Sequence, residues 1–338
     1  MQPSTPNPSS TGSPETGFNL PVVVPVTPID ASGPAAASAP AAQTPAAQTP
    51  AAPAPVAASQ DAPASNNVPV SVDYQRDTVE IWNMPFDLVT LDESIEKIGQ
   101  LIQRRTPSYA ITANLNYVML HNQDAAMGPI TRDADLIVAD GQPIVLRSYL
   151  TDKKLPERVA GSQMIYDLAR TAAQRGWKIY FLGGEPGVAE TCANRLVQQY
   201  PGFQVAGIES PPFRKLSDEE QLEQDQRIQA SGADILLVAF GQPKGEKWIH
   251  ENYKRLGVPV SIQLGASFDF VAGTAKRAPE FWQKIGMEWF YRMMCDPGRL
   301  VKRYSANALF LAGALLQDWT RKVASWGMSL DGNDRSRS

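Results

Sequence analysis

From Val79 onward, short apolar runs alternate with longer stretches in which apolar positions recur at helical spacing. The runs are Tyr109–Thr112, Leu136–Ala139, Lys178–Leu182, Gln204–Ala206, Ile235–Phe240 and Val260–Leu264. Each is short, mostly apolar and bounded by turn residues, the pattern of a strand buried on both faces. Helices are expected over 91–104, 115–125, 143–149, 162–175, 186–199, 217–230, 244–255 and 279–295. The alternation predicts an α/β fold, a Rossmann-like, mostly parallel sheet flanked by helices on both faces.

Several strands end in polar or glycine-containing turns: Thr112-Ala-Asn114, Asp140-Gly141-Gln142-Pro143, Gly183-Gly184-Glu185-Pro186, Gly241-Gln242-Pro243 and Gly265-Ala266-Ser267. In an open parallel sheet such turns share one edge, and ligands bind in the crevice outside it. The Gly241 turn opens a helix whose free amides suit a phosphate, although an ordinary strand-to-helix connection reads the same way. Asp140 follows the apolar run 136–139, where a carboxylate can serve as a general base. Its alternative role, slightly favoured by spacing alone, is N-cap of a helix beginning near Pro143. Asp133-Ala-Asp135 has a metal-binding look but precedes its strand, at the wrong end of the sheet, so no metal site is expected. His121 and His250 fall inside helices without a nearby nucleophile and are read as structural. The chain has no glycine-rich dinucleotide fingerprint after a strand, no Walker loop and no Gly-x-Ser-x-Gly elbow.

Composition refines this picture at the two ends. Residues 1–70 are rich in Pro, Ala, Ser, Thr and Gln, and are expected to be a disordered tail, with a second short one over 328–338. The formal charge of -4 lies almost wholly in the first tail, which holds Glu15, Asp30 and Asp61 but no Lys or Arg. The remaining charge is nearly balanced, so no nucleic-acid partner is expected. Cys192 and Cys295 are far apart in the sequence, and the N-terminus lacks the charge and apolar run of a signal peptide; a cytoplasmic protein with reduced thiols is expected. The C-terminal region is different: Lys276, Arg277, Lys284, Arg292, Arg299, Lys302 and Arg303 interleave with Phe281, Trp282, Trp289, Phe290 and Tyr291. Such a surface suits a diphosphate or anionic lipid headgroups. The apolar run Ala306–Leu316 is too short to span a bilayer. It reads equally as a helix lying in the membrane interface and as one packed on the core or at a subunit contact.

Gly265-Ala-Ser-Phe-Asp269-Phe, with Ala272-Gly273 and Arg277-Ala-Pro279, resembles a signature of the WecG/TagA/CpsF glycosyltransferases. Gly286-Met-Glu288-Trp-Phe-Tyr-Arg292, Pro297-x-Arg299-Leu and Arg303-Tyr304 extend the likeness, as do Thr112-Ala-Asn114, Asp140-Gly141, Arg158-Val-x-Gly161 and Phe181-Leu-Gly-Gly184 upstream. The resemblance implies inverting, metal-independent transfer of a hexose, of the N-acetylmannosamine type, from a UDP-sugar to a polyprenyl-diphosphate-linked saccharide, with no cofactor. It places a catalytic domain over 71–296 and a helical appendage over 297–327, peripheral to the inner face of the cytoplasmic membrane or in a homo-oligomer contact. It implies Asp140 as general base, Thr112 as a substrate-contacting hydroxyl and Arg158 as the group that stabilises the leaving diphosphate. Further substrate contacts are expected from Asn114, Gly141, Gly161, Gln163, Gly183, Gly184, Gly241, Gln242, Lys244, Glu246, Gly265, Asp269, Arg277, Arg292, Arg299 and Arg303. Three positions depart from the family pattern: Gln163 replaces the usual Asp, Gly245 the usual Gln, and Pro211-Pro-Phe213 the usual Gly-Tyr-Phe. They bear on the donor sugar more than on the reaction class. Two other readings compete: a catalytically degenerate binding subunit of a polysaccharide assembly complex, and a nucleotide-sugar epimerase or oxidoreductase, against which the missing fingerprint counts.

Overall fold

The computed structural model describes residues 76–279, 281–282 and 287–334, with the side chains of Arg299, Lys322 and residues 324–334 outside that description. The tail expected over 1–70 lies outside it as well. The described chain opens with an antiparallel hairpin, β1 (Thr78–Ile81) and β2 (Met84–Asp87). Trp82 and Asn83, both at positive φ (48° and 65°), make its two-residue turn. Helix α1 (Leu91–Arg104) follows, started by a Thr90/Glu93 capping box and stopped by Arg105 in the left-handed region.

The six expected runs all become strands of one sheet: β3 (Ser108–Ala113), β4 (Leu136–Ala139), β5 (Lys178–Gly183), β6 (Gln204–Glu209), β7 (Ile235–Ala239) and β8 (Val260–Gln263). All pairings are parallel, in the order β4-β3-β8-β7-β5-β6. Alternation divides the buried side chains between two cores. Ala110, Val138, Phe181, Leu237 and Ile262 face one side, whereas Tyr109, Ile111, Ile137, Leu182 and Val238 face the other. Both faces are covered, which is why these strands read as continuous apolar runs. Truncating a side chain such as the fully buried Phe181 to Ala would cost about 3–5 kcal/mol.

The helices are α2 (Leu115–Gln123), α3 (Met127–Arg132), α4 (Gln142–Ser148), α5 (Gly161–Arg175), α6 (Val188–Gln199), α7 (Asp218–Ala230), α8 (Lys244–Leu256), α9 (Ser267–Ala272), α10 (Glu288–Cys295) and α11 (Pro297–Asp334). The single helix expected over 279–295 is corrected: residues 281–282 are helical, 280 and 283–286 lie outside the described residues, and non-helical Met287 precedes α10.

The apolar run 306–316 is one segment of α11, whose backbone stays helical to Asp334, past the boundary expected at 327. One face of α11 packs on the domain. Leu300, Asn307 and Ala314 are buried on it, and Phe310 meets the Trp82 ring edge-on at 6.4 Å. Asp318 accepts from Arg147 Nε (2.5 Å) and Nη2 (2.8 Å) and from Trp82 Nε1 (3.1 Å). The opposite stripe, Leu309, Leu316, Trp319 and Val323, is exposed. No helix among the described residues is long and apolar enough to cross a membrane.

Candidate active site

The register of β3 and β4 assembles the site. Thr112 pairs with Val138 and Ala113 with Ala139, so Thr112 and the residue after Ala139 project to the same face. That residue is Asp140, whose amide donates to the Ala113 carbonyl at 2.9 Å. Helix α5 begins on this face with Gly161, and the Gly161 amide donates to Asp140 Oδ2 at 3.2 Å. The N-cap role that spacing favoured for Asp140 is therefore corrected. Helix α4 is capped at Gly141 without any side-chain bond, while the Asp140 carboxylate turns to the first amide of α5.

Gly161 sits beside both candidate catalytic groups, with the Leu264 side chain as a third neighbour. A Cβ built there would lie 3.4 Å from Thr112 Oγ1 and 3.6 Å from Asp140 Oδ2. The Thr112 hydroxyl donates to the Gln263 carbonyl at 3.1 Å, which fixes its rotamer. Burial pushes the Asp140 carboxyl up to about 6, and the nearby Glu288 adds to the rise; Arg158, the Gly161 amide and Arg292 oppose it. The Arg158 guanidinium lies 3.5 Å from the Glu288 carboxylate, with both side chains largely covered. Arg292, one turn beyond Glu288 on α10, lies over the Phe270 ring at 5.1 Å. A carboxylate poised near neutrality, a fixed hydroxyl and two arginines can accept a proton on one side and absorb negative charge on the other.

A second group of residues lies at the ends of β7 and β8. Gln242 Oε1 accepts from Asn116 Nδ2 and from Arg303 Nη2, both at 3.2 Å. Glu246 is buried; burial pushes its carboxyl up to about 7, against the pull of Gln242 and Arg303. Gly241 adopts positive φ (73°), as the sharp turn out of β7 requires.

The sequence pattern of the Glycosyl transferase WecG/TagA/CpsF family matches residues 79–324. The chain belongs to the WecG/TagA/CpsF glycosyltransferases. It is 32% identical over 192 residues to the N-acetylglucosaminyldiphosphoundecaprenol N-acetyl-beta-D-mannosaminyltransferase of Bacillus spizizenii, covering 57% of this chain and 73% of the relative. The proteins of the same name from Bacillus subtilis and Staphylococcus aureus are 28% and 29% identical, over 66% of this chain and 85% and 86% of their own lengths.

Other expected contacts of this glycosyltransferase are committed locally. Asn114 caps α2 by accepting from the Tyr117 amide, Gln163 donates to Asp167 at 3.2 Å, and Asp269 accepts from the Thr274 hydroxyl at 3.1 Å. Gly183, Gly184 and Gly265 hold positive-φ turns; a Cβ on Gly183 would lie 2.8 Å from the Phe240 ring. Lys244 is exposed at the start of α8. Arg277 is half-buried, its Nε without a hydrogen-bond partner among the described residues. The Arg299 side chain lies outside the described residues.

The Asp133 and Asp135 carboxylates meet His250 and Arg132, and Arg104 and the Tyr109 amide, respectively. His121 contacts Thr131 and the Asn83 carbonyl. Sequence reasoning passed over Glu288, Asn116 and Gln263 as site residues. Only Gln263 left a local signal: a Gln closing a short buried strand.

Proposed function

We propose that this glycosyltransferase moves an N-acetylmannosamine-type hexose from a UDP-sugar to a polyprenyl-diphosphate-linked saccharide, with inversion and without a metal. The observation that carries the reading is the convergence of Asp140 Oδ2 and the Thr112 hydroxyl beside the side-chain-free Gly161. An acceptor hydroxyl seated there donates its proton to Asp140 as its oxygen attacks the anomeric carbon from the face opposite UDP. The bond to the UDP oxygen breaks with inversion, and the charge growing on the diphosphate falls to Arg158 and Arg292. Arg158 must exchange Glu288 for the diphosphate as the donor binds. The names of the bacterial relatives supply the sugar and the lipid-linked acceptor.

The exposed stripe of α11, with Lys302 and Arg321 also exposed, suits an interface-lying helix that brings the site to a lipid-linked acceptor at the inner face of the cytoplasmic membrane. A homo-oligomer contact would use the same stripe.

The test is UDP release from a panel of UDP-sugars, with a short polyprenyl-diphosphate N-acetylglucosamine acceptor, with and without EDTA. Transfer from UDP-N-acetylmannosamine that survives EDTA, and an α-donor giving a β-product, are expected. Silence with every donor would refute the reading, and dependence on added metal would refute its charge scheme.

A further inference from the structure

Gln263 closes β8, flanked by β3 through Ile111 and by β7 through Val238. It is a polar residue only 4% exposed in the middle of the sheet. Such a side chain persists in a core only when its hydrogen bonds are satisfied. With its carboxamide oriented as the neighbours require, Nε2 donates to the Val238 carbonyl at 2.5 Å and Oε1 accepts from the Gly241 amide at 3.1 Å. The carboxamide also fills the space over Gly245, where a Cβ would lie 2.6–2.8 Å from its Cδ, Oε1 and Nε2. Position 245 is thus closed to any side chain while Gln263 keeps this rotamer. On its main-chain side, the Gln263 carbonyl accepts the Thr112 hydroxyl at 3.1 Å. The turn that Gln263 holds carries Gln242, which receives Arg303 from α11.

We propose that Gln263 is a positioning residue that ties the Thr112 edge of the active site to the Gly241–Gly245 turn, whose Gln242 receives Arg303 of α11. This rests on the transferase reading for its catalytic consequence, but not for the tie itself. The turn's side-chain partners are Asn116 on α2 and Arg303 on α11. Loosening the turn therefore frees the start of α11, the helix proposed to bring the site to the lipid-linked acceptor, and weakens use of that acceptor.

Two independent variants break the contact: Gln263→Met removes the hydrogen bonds and keeps the bulk, and Gly245→Ala displaces the carboxamide. Hydrogen exchange is read in peptides spanning 240–248 and 298–318 of the full chain, beside kcat/KM for the lipid-linked acceptor. Both variants are expected to speed exchange in both peptides by about tenfold, the scale of one lost hydrogen bond. Acceptor kcat/KM is expected to fall by about tenfold or more. The double variant should be no worse than the poorer single one, because the contact can be lost only once. Unchanged exchange in 298–318, additive losses in the double variant, or an acceptor kcat/KM equal to the parent's would overturn the proposal. A parent that transfers no sugar, with the exchange changes present, would remove the transferase reading and leave the tie standing.

Discussion

Replacing Asp140 by Asn tests the charge state of the site through two independent quantities. The carboxyl is moved from 3.8 to about 6, first by burial. A shift of about two units corresponds to about 3 kcal/mol between the folded and unfolded chain. Residual solvent at the rim screens part of it, leaving about 1–3 kcal/mol. The folded value lies above the unfolded one, so the protonated form favours folding. That contribution is complete below about pH 4 and is lost as the pH rises through about 6. The substituted carboxamide never ionises and can still accept the Gly161 amide through its oxygen. Asp140→Asn should thus be more stable than the parent by about 1–3 kcal/mol at pH 8, with the gain shrinking toward pH 4. Urea unfolding followed by tryptophan fluorescence at both pH values measures this. The same substitution should lower turnover by about 10²–10⁴-fold, the worth of a general base. The parent's kcat/KM should rise with pH about a midpoint near 6. A stability gain over the parent no larger at pH 8 than at pH 4, or a parent midpoint near the ordinary carboxyl value, would refute the assignment.

Glu288 and Arg158 should move that midpoint in opposite directions. Glu288→Gln removes a like charge beside Asp140 and shifts the acid limb of kcat/KM to lower pH, while releasing Arg158 and lowering the KM for the donor. Arg158→Gln shifts the limb to higher pH and lowers kcat by roughly 10²–10³-fold, since a charge-stabilising group is lost. Gly161→Ala meets only ordinary contacts and should keep or slightly raise the Tm, yet lower turnover by about a hundredfold by filling the reacting space. Asp318→Asn should loosen α11 by about 1.5–3 kcal/mol, seen as faster proteolysis within 300–320 while the sheet stays protected.

The parallel strands were legible because burial on both faces leaves an uninterrupted apolar run, as in Ile235–Ala239. The β1–β2 hairpin was not. Its strands are four residues each, Pro85 interrupts the second, and its turn uses Trp82 and Asn83 rather than glycine. Helix α9 was hidden by its length of six residues within the Gly265–Phe270 motif. Asp140 could be singled out because it lies where a strand meets the sheet's carboxyl edge, whereas the role of Thr112 came from the family resemblance. The cap assignment failed because spacing shows only local partners, and the Asp140 carboxylate bonds an amide twenty-one positions away in the chain. Glu288 and Asn116 escaped for the same reason. Their importance lies in Arg158 and Gln242, which only the folded chain brings near.

The strand order has a consequence for how the enzyme comes into being. The two middle strands, β8 and β7, are the last to be synthesised, and they wedge between the β4-β3 pair and the β5-β6 pair. A nascent chain lacking them holds two separate strand pairs with bare inner edges, open to wrong partners. Closure waits on distant segments, so assembly should be slow for a protein of this size. The candidate active site, which leans on the Gln263 carbonyl, therefore cannot form until β8 has been made.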